Sequence, residues 1–116
     1  MKSFFIDVVK QEITEVETNG LTSYYDLIGC ELVEVSPLMS ETGDCAYVDE
    51  EGLLKPIEGA WWFPNFHQPM VGNGVVVGCD YETGEDIPPV SITLELLREK
   101  VKFYTPSELV RLVQNM

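Results

Sequence analysis

A run of valines framed by glycines, Val71-Gly72-Asn73-Gly74-Val75-Val76-Val77-Gly78-Cys79, points to a sheet-based fold. Three consecutive valines between glycines are typical of a buried β-strand. The glycines also resemble a dinucleotide-binding fingerprint, in which they would follow a strand and precede a helix. Here the strand follows the glycines, and the third glycine comes one position late. We therefore interpret them as turn and close-packing residues.

The residues before this run predict several strands and one helix. Leu21–Ile28 carries apolar residues near helical spacing, and Gly29 sits where a helix C-terminal glycine belongs. Apolar or alternating segments rich in Phe, Ile and Val predict strands. These segments are Ser3–Val9, Glu12–Thr18, Glu31–Val35 and Cys45–Val48. The pattern indicates a sheet with a single short helix inserted between its strands.

Turn and breaker residues divide the middle of the chain. Asp49-Glu50-Glu51-Gly52 is a turn signal between a strand and two leucines, so we expect a β-hairpin with an acidic tip. Two prolines predict that Ile57–Met70 is irregular. Asp80–Pro89 is expected to be a polar, acidic loop.

The C-terminal quarter changes to helical patterns. A helix is expected to start at Ser91 or Thr93, and Thr105-Pro106-Ser107-Glu108 is a second helix start with a threonine cap. We therefore expect an α+β fold: a small, mainly antiparallel β-sheet with one short inserted helix and a helical C-terminus. Residues 1–116 would form a single domain, with a β-rich body over about 1–90 and a helical segment over about 91–116.

Charge is the compositional outlier. The chain has 20 acidic and 7 basic residues and a formal net charge of −13. Between Gln11 and Leu97 there are 17 acidic residues and a single base, Lys55. Such a surface repels nucleic acid and anionic membranes and attracts basic proteins at rates that fall with salt. The alternative is that the acidity serves solubility alone.

No motif for catalysis, metal binding or a cofactor stands out. Cys30, Cys45, Cys79 and His67 lack the short Cys-x-x-Cys pairs that hold zinc, so we expect no metal and no cofactor. His67 has no identifiable orienting group, and acidic surroundings would raise the pKa of a cysteine, so we expect a non-enzymatic protein. Three widely spaced cysteines suit a reducing cytoplasm. No apolar run approaches the ~20 residues of a membrane span.

An aromatic segment lies between the turn and the valine run. Trp61, Trp62, Phe63 and Phe66 fall within six positions and could form a core plug or an exposed recognition surface. Neighbouring side chains of an extended segment point in opposite directions. We therefore expect that either Trp61 or Trp62 lies at a surface, a pocket or a dimer contact.

Several short segments stand in an order that is typical of one protein family. They are Leu27-Ile28-Gly29, Glu31-Leu32-Val33-Glu34-Val35, Tyr47-Val48-Asp49-Glu50-Glu51-Gly52-Leu53-Leu54, Val71-Gly72 with Val75-Val76-Val77-Gly78, and Val101-Lys102-Phe103-Tyr104-Thr105-Pro106-Ser107-Glu108. From about Glu15 to Leu109 the chain resembles the domain of unknown function catalogued as thirty-eight forty-six, a family of short phage- and plasmid-borne proteins. The resemblance implies a context of mobile elements in the bacterial cytoplasm and no particular chemistry.

Together these features predict an accessory protein of a phage or mobile element. It would bind and inhibit a basic host defence protein that recognises nucleic acid, as anti-CRISPR-like inhibitors do. Two acidic clusters would form its DNA-mimicking surface: Asp49, Glu50 and Glu51, and Glu82, Glu85 and Asp86. One alternative is a small-molecule binder, or a sponge for a nucleotide signal, in which Trp61, Trp62 or Phe66 stacks on a base. Another is a homo-oligomeric structural domain, for example a homodimer joined through the aromatic segment.

Overall fold

Strand β7 (Gly74–Cys79) lies at the centre of the larger of two sheets, which confirms the buried strand that the valine run predicts. The computed structural model describes residues 1–114 of the chain. The other strands are β1 (Lys2–Asp7), β2 (Glu12–Glu17), β3 (Val33–Val35), β4 (Cys45–Asp49), β5 (Ala60–Trp62), β6 (Met70–Val71), β8 (Asp86–Ile87) and β9 (Lys102–Tyr104). The helices are α1 (Gly20–Ile28), α2 (Leu94–Lys100) and α3 (Pro106–Gln114), and a 3₁₀ turn covers Gly52–Leu54.

The larger sheet has the strand order β2-β1-β7-β4-β3, and β8 also pairs with β7. Every pair in it is antiparallel. On its two sides, Val75 of β7 stands opposite Phe5 of β1 and Tyr47 of β4. The predicted α+β class with a mainly antiparallel sheet is thereby confirmed.

The larger sheet is covered on both faces around β7. On one, which we term the helix face, Val75 and Val77 pack with Tyr24 and Ile28 of α1. On the opposite face, the inner face, Val76 belongs to a larger cluster built from both sheets and α2. Members of that cluster include Phe4, Ile6, Ala46, Val48, Trp61, Phe63, Phe66 and Leu97. Successive side chains of a strand alternate between faces, so consecutive valines serve both layers at once.

The smaller sheet, with the order β6-β5-β9, packs against the inner face through Trp61 of its central strand. Gly74 permits this contact, because a Cβ atom there would lie 2.9 Å from Cζ2 of Trp61. At Gly78 a Cβ atom would lie 2.6 Å from the carbonyl oxygen of Pro88. Gly72 turns the chain between β6 and β7 with a φ of 86°. The interpretation of these glycines as turn and close-packing residues is therefore confirmed.

A fully buried carboxylate, that of Asp44, joins the start of β4 to the segment that leads into α2. It accepts hydrogen bonds from the backbone N–H groups of Val90, Ser91 and Ile92 at 2.8, 2.7 and 2.7 Å. Hydrogen bonds to an ionised acceptor are about twice as strong as neutral ones. Three of them in succession hold residues 90–92 at a fixed distance from the larger sheet.

The expected hairpin with an acidic tip does not form. The partners of β4 are β3 and β7, and the two leucines after the turn, Leu53 and Leu54, belong to the 3₁₀ turn. Asp49 explains the difference, because its carboxylate accepts hydrogen bonds from the Glu51 N–H and from Nζ of Lys55, both at 2.9 Å. These side-chain bonds fold the segment back on itself, as Asx turns do, and Gly52 then packs on Val71.

Three short strands lie where none was expected: β5 and β8 in segments expected to be irregular, and β9 in the C-terminal segment expected to be helical. β5 falls within Ile57–Met70, where both prolines come after the strand and therefore leave its ladder intact. β8 falls within the predicted loop Asp80–Pro89 and pairs with the end of β7. β9 separates the two C-terminal helices and pairs with β5. Each strand has only two or three residues, which is too few to show the alternation of apolar and polar residues by which a strand is recognised in a sequence.

The predicted helix termini are confirmed. Gly29 adopts a left-handed φ of 78° after α1, and its N–H donates to the carbonyl of Tyr25. Thr93 caps α2 by accepting a hydrogen bond from the Leu96 N–H. At α3, Thr105 and Glu108 form a reciprocal capping box with distances of 3.0 and 3.2 Å.

The helices of residues 1–114 are all too short or too polar to cross a bilayer.

Removal of the Asp44 carboxylate should destabilise the fold strongly. We expect Asp44→Ala to lower the free energy of unfolding by about 3–5 kcal/mol, because three N–H groups lose a charged acceptor in a buried place. Asp44→Asn, which keeps one acceptor oxygen, should show an intermediate loss. Urea unfolding followed by circular dichroism measures both.

The matched control is Glu41→Ala in the same loop, which removes an exposed carboxylate. It should change the free energy of unfolding by less than about 0.5 kcal/mol. Equal losses for Asp44→Asn and Glu41→Ala would show that the buried carboxylate has no special part in stability.

Candidate functional site

A groove of about 410 Å³ lies between α3 and the end of β4. Met70 and Val71 contribute to its lining from β6, Leu53 from the 3₁₀ turn, and Val110 and Val113 from α3. The lining is therefore mainly apolar. Leu53 and Val113 remain 73% and 62% exposed. Apolar side chains that are grouped and exposed in this way are typical of a binding surface.

Carboxylates line the same groove, and we term Glu34, Asp49 and Glu50 its acidic lip. No Lys, Arg or His contributes to the lining within the described part of the chain. Glu34 stands opposite Val48, and the Glu50 N–H extends the same ladder by donating to the Leu32 carbonyl. Glu34 and Glu50 are therefore diagonal neighbours, which are typically about 7–8 Å apart.

Of the three lip residues, Asp49 is already engaged within the protein. Its carboxylate pairs with Lys55 at 2.9 Å and is largely covered, with 9% of its side chain exposed. The same bond raises the pKa of Lys55. The carboxylates of Glu34 and Glu50 are exposed, and those residues therefore carry the charge that a partner would meet.

The α3 wall of the groove begins at the capping box. The Thr105 N–H donates to the Glu108 carboxylate, and this bond lowers the pKa of Glu108. Within the described chain Leu109 is the one buried residue of α3, and it also lines the groove. Val110 and Val113, beside Leu109 on the helix, are exposed and line the groove as well. The apolar side of α3 therefore forms one wall of the groove.

The second predicted acidic cluster lies at the other end of the sheet. Glu82 and Glu85 are exposed in the turn between β7 and β8. Val48 pairs with Gly74 at the start of β7, whereas Asp86 pairs with Cys79 at its end. Five residue steps at about 3.3 Å separate the two ends by about 17 Å. The six acidic residues therefore form two separate groups.

Asp86 belongs to the helix face and not to the outer surface. Its carboxylate accepts hydrogen bonds from the hydroxyls of Tyr24 and Tyr47, both at 2.9 Å. The two rings stack with their centroids 4.6 Å apart. Burial, followed by the bond to Asp86, raises the pKa of both tyrosines. The cluster fastens α1 to β4 and β8, so Asp86 has a structural role.

The aromatic segment is mostly core. Trp61 and Phe66 are buried and pack together with ring centroids 5.4 Å apart, so neither can stack on a ligand. Nε1 of Trp61 has no hydrogen-bond partner among the described residues. Trp62 is half-buried against the same cluster, and its Nε1 donates to the Phe66 carbonyl at 2.9 Å. Of the two tryptophans, Trp62 is therefore the one that keeps some contact with the surface.

The cysteines are free thiols within the described part of the chain. Burial and then the Asp86 carboxylate raise the pKa of Cys45 to about 11, and burial also raises that of Cys30. Both shifts disfavour a nucleophilic thiolate, in the direction expected from the acidic composition. Among residues 1–114, no three His, Cys, Asp or Glu side chains lie together as metal ligands would.

Part of this groove was predictable from the sequence. The acidic run indicated Asp49 and Glu50, whereas Glu34 and the apolar residues Leu53, Val110 and Val113 were missed. The strand register is what brings Glu34 to the lip, and the 3₁₀ turn is what exposes Leu53. One usable signal was present: Leu53 and Leu54 follow four turn residues directly, where a buried strand has little room to start.

The raised tyrosine pKa values predict a loss of stability in alkali. Tyrosines of the unfolded chain ionise near pH 10, whereas Tyr24 and Tyr47 keep their protons to higher pH when folded. Above about pH 10 the unfolded state therefore binds fewer protons, and the free energy of unfolding falls as pH rises. We expect the urea midpoint of Tyr24→Phe/Tyr47→Phe to depend less on pH between 9 and 11 than that of the wild type.

Tyr81→Phe is the control for this measurement, because Tyr81 is exposed. Its pH dependence should match that of the wild type. If the double variant and the wild type lose stability in parallel above pH 10, the buried tyrosines do not ionise on unfolding as described.

Comparison with known proteins gives one family. The family model Domain of unknown function (DUF3846) matches residues 1–101, so the match starts earlier and ends earlier than the resemblance read from the sequence. It includes the whole of the larger sheet and leaves out β9 and α3. No curated protein and no solved structure matches the chain. Because the match covers most of its length, the chain belongs to the family Domain of unknown function (DUF3846).

Proposed function

We propose that this chain is a non-enzymatic accessory protein of a phage or other mobile element, which binds and inhibits a basic host protein that recognises nucleic acid. The observation that carries the proposal is the apolar groove with its acidic lip. A segment of the host protein that combines apolar and cationic side chains fits such a groove. While this segment is bound in the groove, the host protein cannot use it to contact nucleic acid.

The chemistry of the groove favours arginine and lysine over other partners. Both residues combine an aliphatic stem with a charged end, so the stem can lie on Leu53 or Val113 while the charge meets Glu34 or Glu50. Arginine is also enriched in protein interfaces. The groove is therefore suited to the side chains with which proteins contact phosphates.

The charge of the whole chain supports the same partner. The formal net charge of −13 attracts a basic surface over a long range and repels nucleic acid. In this proposal the exposed carboxylates of Glu34 and Glu50, with the half-buried Glu51 next to them in the chain, take the positions that phosphates would take on the host protein. The cluster of Glu82 and Glu85 adds to the attraction from a distance and makes no direct contact.

The nucleotide-sponge alternative has less support. Of the three side chains expected to stack on a base, Trp61 and Phe66 are buried. The third, Trp62, is half-buried against the inner-face cluster, and its Nε1 is bonded to the Phe66 carbonyl. A nucleotide phosphate would also meet the carboxylates of the lip instead of a cation. We therefore retain the protein-binding function.

The location of the charge can be tested with two double variants of equal net charge. Glu34→Lys/Glu50→Lys reverses the lip, and Glu82→Lys/Glu85→Lys reverses the distant turn. We expect the first to weaken binding to a purified basic bacterial nuclease or repressor by about tenfold or more at low salt, and the second to weaken it far less. Isothermal titration at 50 and 300 mM salt measures both, and inhibition of DNA binding is followed in parallel.

Equal losses in the two variants would mean that only bulk charge matters. Unchanged binding in both, or no binding of any basic protein by the wild type, would remove the proposed function.

The apolar part of the groove has its own test. We expect Leu53→Gln/Val113→Gln to weaken the same binding by about tenfold, because each side chain loses apolar contact with the partner. Its free energy of unfolding should stay within about 1 kcal/mol of the wild type, since both residues are exposed. The control is Leu21→Gln, an exposed leucine on α1, which should leave binding unchanged. If Leu21→Gln and the groove variant behave alike, the groove is not the binding site.

A further inference from the structure

The outer edge of β3 continues the acidic lip of the groove. β3 is the last strand of the larger sheet and pairs only with β4 within the described residues. Glu34, its central residue, lines the groove. The edge and the groove therefore form one surface.

The backbone of β3 offers two residues to an additional strand. The Ser36 N–H donates to the Ala46 carbonyl at 2.7 Å, and the Glu50 N–H donates to the Leu32 carbonyl at 3.1 Å. In an antiparallel pair the hydrogen-bonded positions alternate, so Leu32, Glu34 and Ser36 direct their N–H and C=O groups toward β4. Val33 and Val35 therefore direct theirs away from the sheet, where β3 has no neighbour.

The side chains of β3 also alternate. Glu34 faces the groove, whereas Val33 packs on the helix-face cluster. Val35 lies on the same side as Val33 and is 55% exposed. An added strand would therefore meet a carboxylate at the centre of one face and apolar side chains on the other.

A second copy of this chain is a poor occupant of that edge. A two-fold antiparallel pairing centred on Glu34 would set the Val33 and Val35 positions as hydrogen-bonded pairs and place the two Glu34 side chains directly opposite each other. That central pair is not hydrogen-bonded, and in such pairs the side chains approach most closely. Like charges directly opposite each other destabilise a sheet. The same geometry favours a lysine or arginine opposite Glu34.

We propose that β3 accepts an extended segment of the partner protein as an additional antiparallel strand, with a lysine or arginine opposite Glu34 and apolar residues on either side. The inference rests on the proposed function and names the conformation of the segment that is bound. Backbone bonds to Val33 and Val35 supply affinity without regard to sequence, and the residue opposite Glu34 supplies selection.

A peptide copy of the edge provides the probe. The lysine peptide has residues 32–36 of this chain with Glu34→Lys and blocked termini, and the glutamate peptide has the unchanged sequence. Each is titrated into the ¹⁵N-labelled full chain. We expect the lysine peptide to shift the amide signals of Val33 and Val35 and to bind at least about fivefold more tightly than the glutamate peptide. The Glu34→Lys protein should reverse that preference.

Methylation of peptide nitrogens separates strand pairing from simple charge attraction. A lysine peptide methylated on the nitrogens of its two valines loses the donors that face β3 and should no longer bind. Methylation on the lysine nitrogen, which faces away, should leave binding unchanged. Equal binding of the two methylated peptides, equal binding of lysine and glutamate peptides, or no shift at Val33 and Val35 would each overturn the strand model.

Failure of the strand model is distinguishable from failure of the proposed function. If the peptide results are negative but Glu34→Lys/Glu50→Lys still loses binding to the basic nuclease, the groove function stands and the segment binds in another conformation. If the nuclease binds both charge-reversed variants as tightly as the wild type, or does not bind the wild type, the function itself is wrong, whatever the peptides do.

Discussion

The buried carboxylate of Asp44 couples the two halves of this molecule. It lies without a cationic partner among the described residues, and three consecutive backbone N–H groups replace the water that it gives up. Those donors belong to the segment that enters α2. Arg98 of α2 in turn donates to the Ile13 carbonyl of β2 at 2.9 and 3.1 Å, and β9 follows α2 to complete the smaller sheet. The position of the whole C-terminal quarter therefore depends on one side chain at the start of β4.

Sequence patterns predicted the elements that carry a clear local signal, either a repeating apolar pattern or a capping residue. Periodicity and apolar runs identified the strands β1, β2, β4 and β7, and caps such as Thr93, Gly29 and Thr105 identified the helix ends. The failures lie where a side chain makes a bond that no periodicity shows. The Asp49 carboxylate turned an expected hairpin into a 3₁₀ turn, and strands as short as β5, β8 and β9 form because a neighbouring strand already provides the ladder. Nor did the sequence indicate that Asp44 would be buried, since an isolated aspartate in a polar loop resembles any other.

The candidate groove shows the same division. Runs of acidic residues were visible in the sequence, and Glu50 does line the groove. Which carboxylates remain exposed was not visible, because that depends on partners far away in the chain: Asp86 is held by tyrosines 62 and 39 positions away. The apolar lining was hidden as well, since Leu53 and Val113 are 60 positions apart in the sequence and line one groove only in the folded chain. Composition thus predicts the sign of the surface charge, whereas the register of β3 and β4 determines which carboxylates lie at the groove.

The central place of β7 has a consequence for biosynthesis. The strand is preceded by more than seventy residues, yet both β1 and β4 need it as a neighbour. As the chain leaves the ribosome, the β1–β2 hairpin, α1 and the β3–β4 pair emerge first and cannot be joined into one sheet. Apolar side chains such as Phe4 and Val48 therefore remain exposed to water or bound to a chaperone until residues 74–79 have been synthesised. Long-range strand pairing of this kind folds slowly and is exposed to aggregation in the interval. A nascent chain that stalls before Gly74 is released without the strand that closes its sheet, and we expect it to be degraded and not to persist as a partly folded domain.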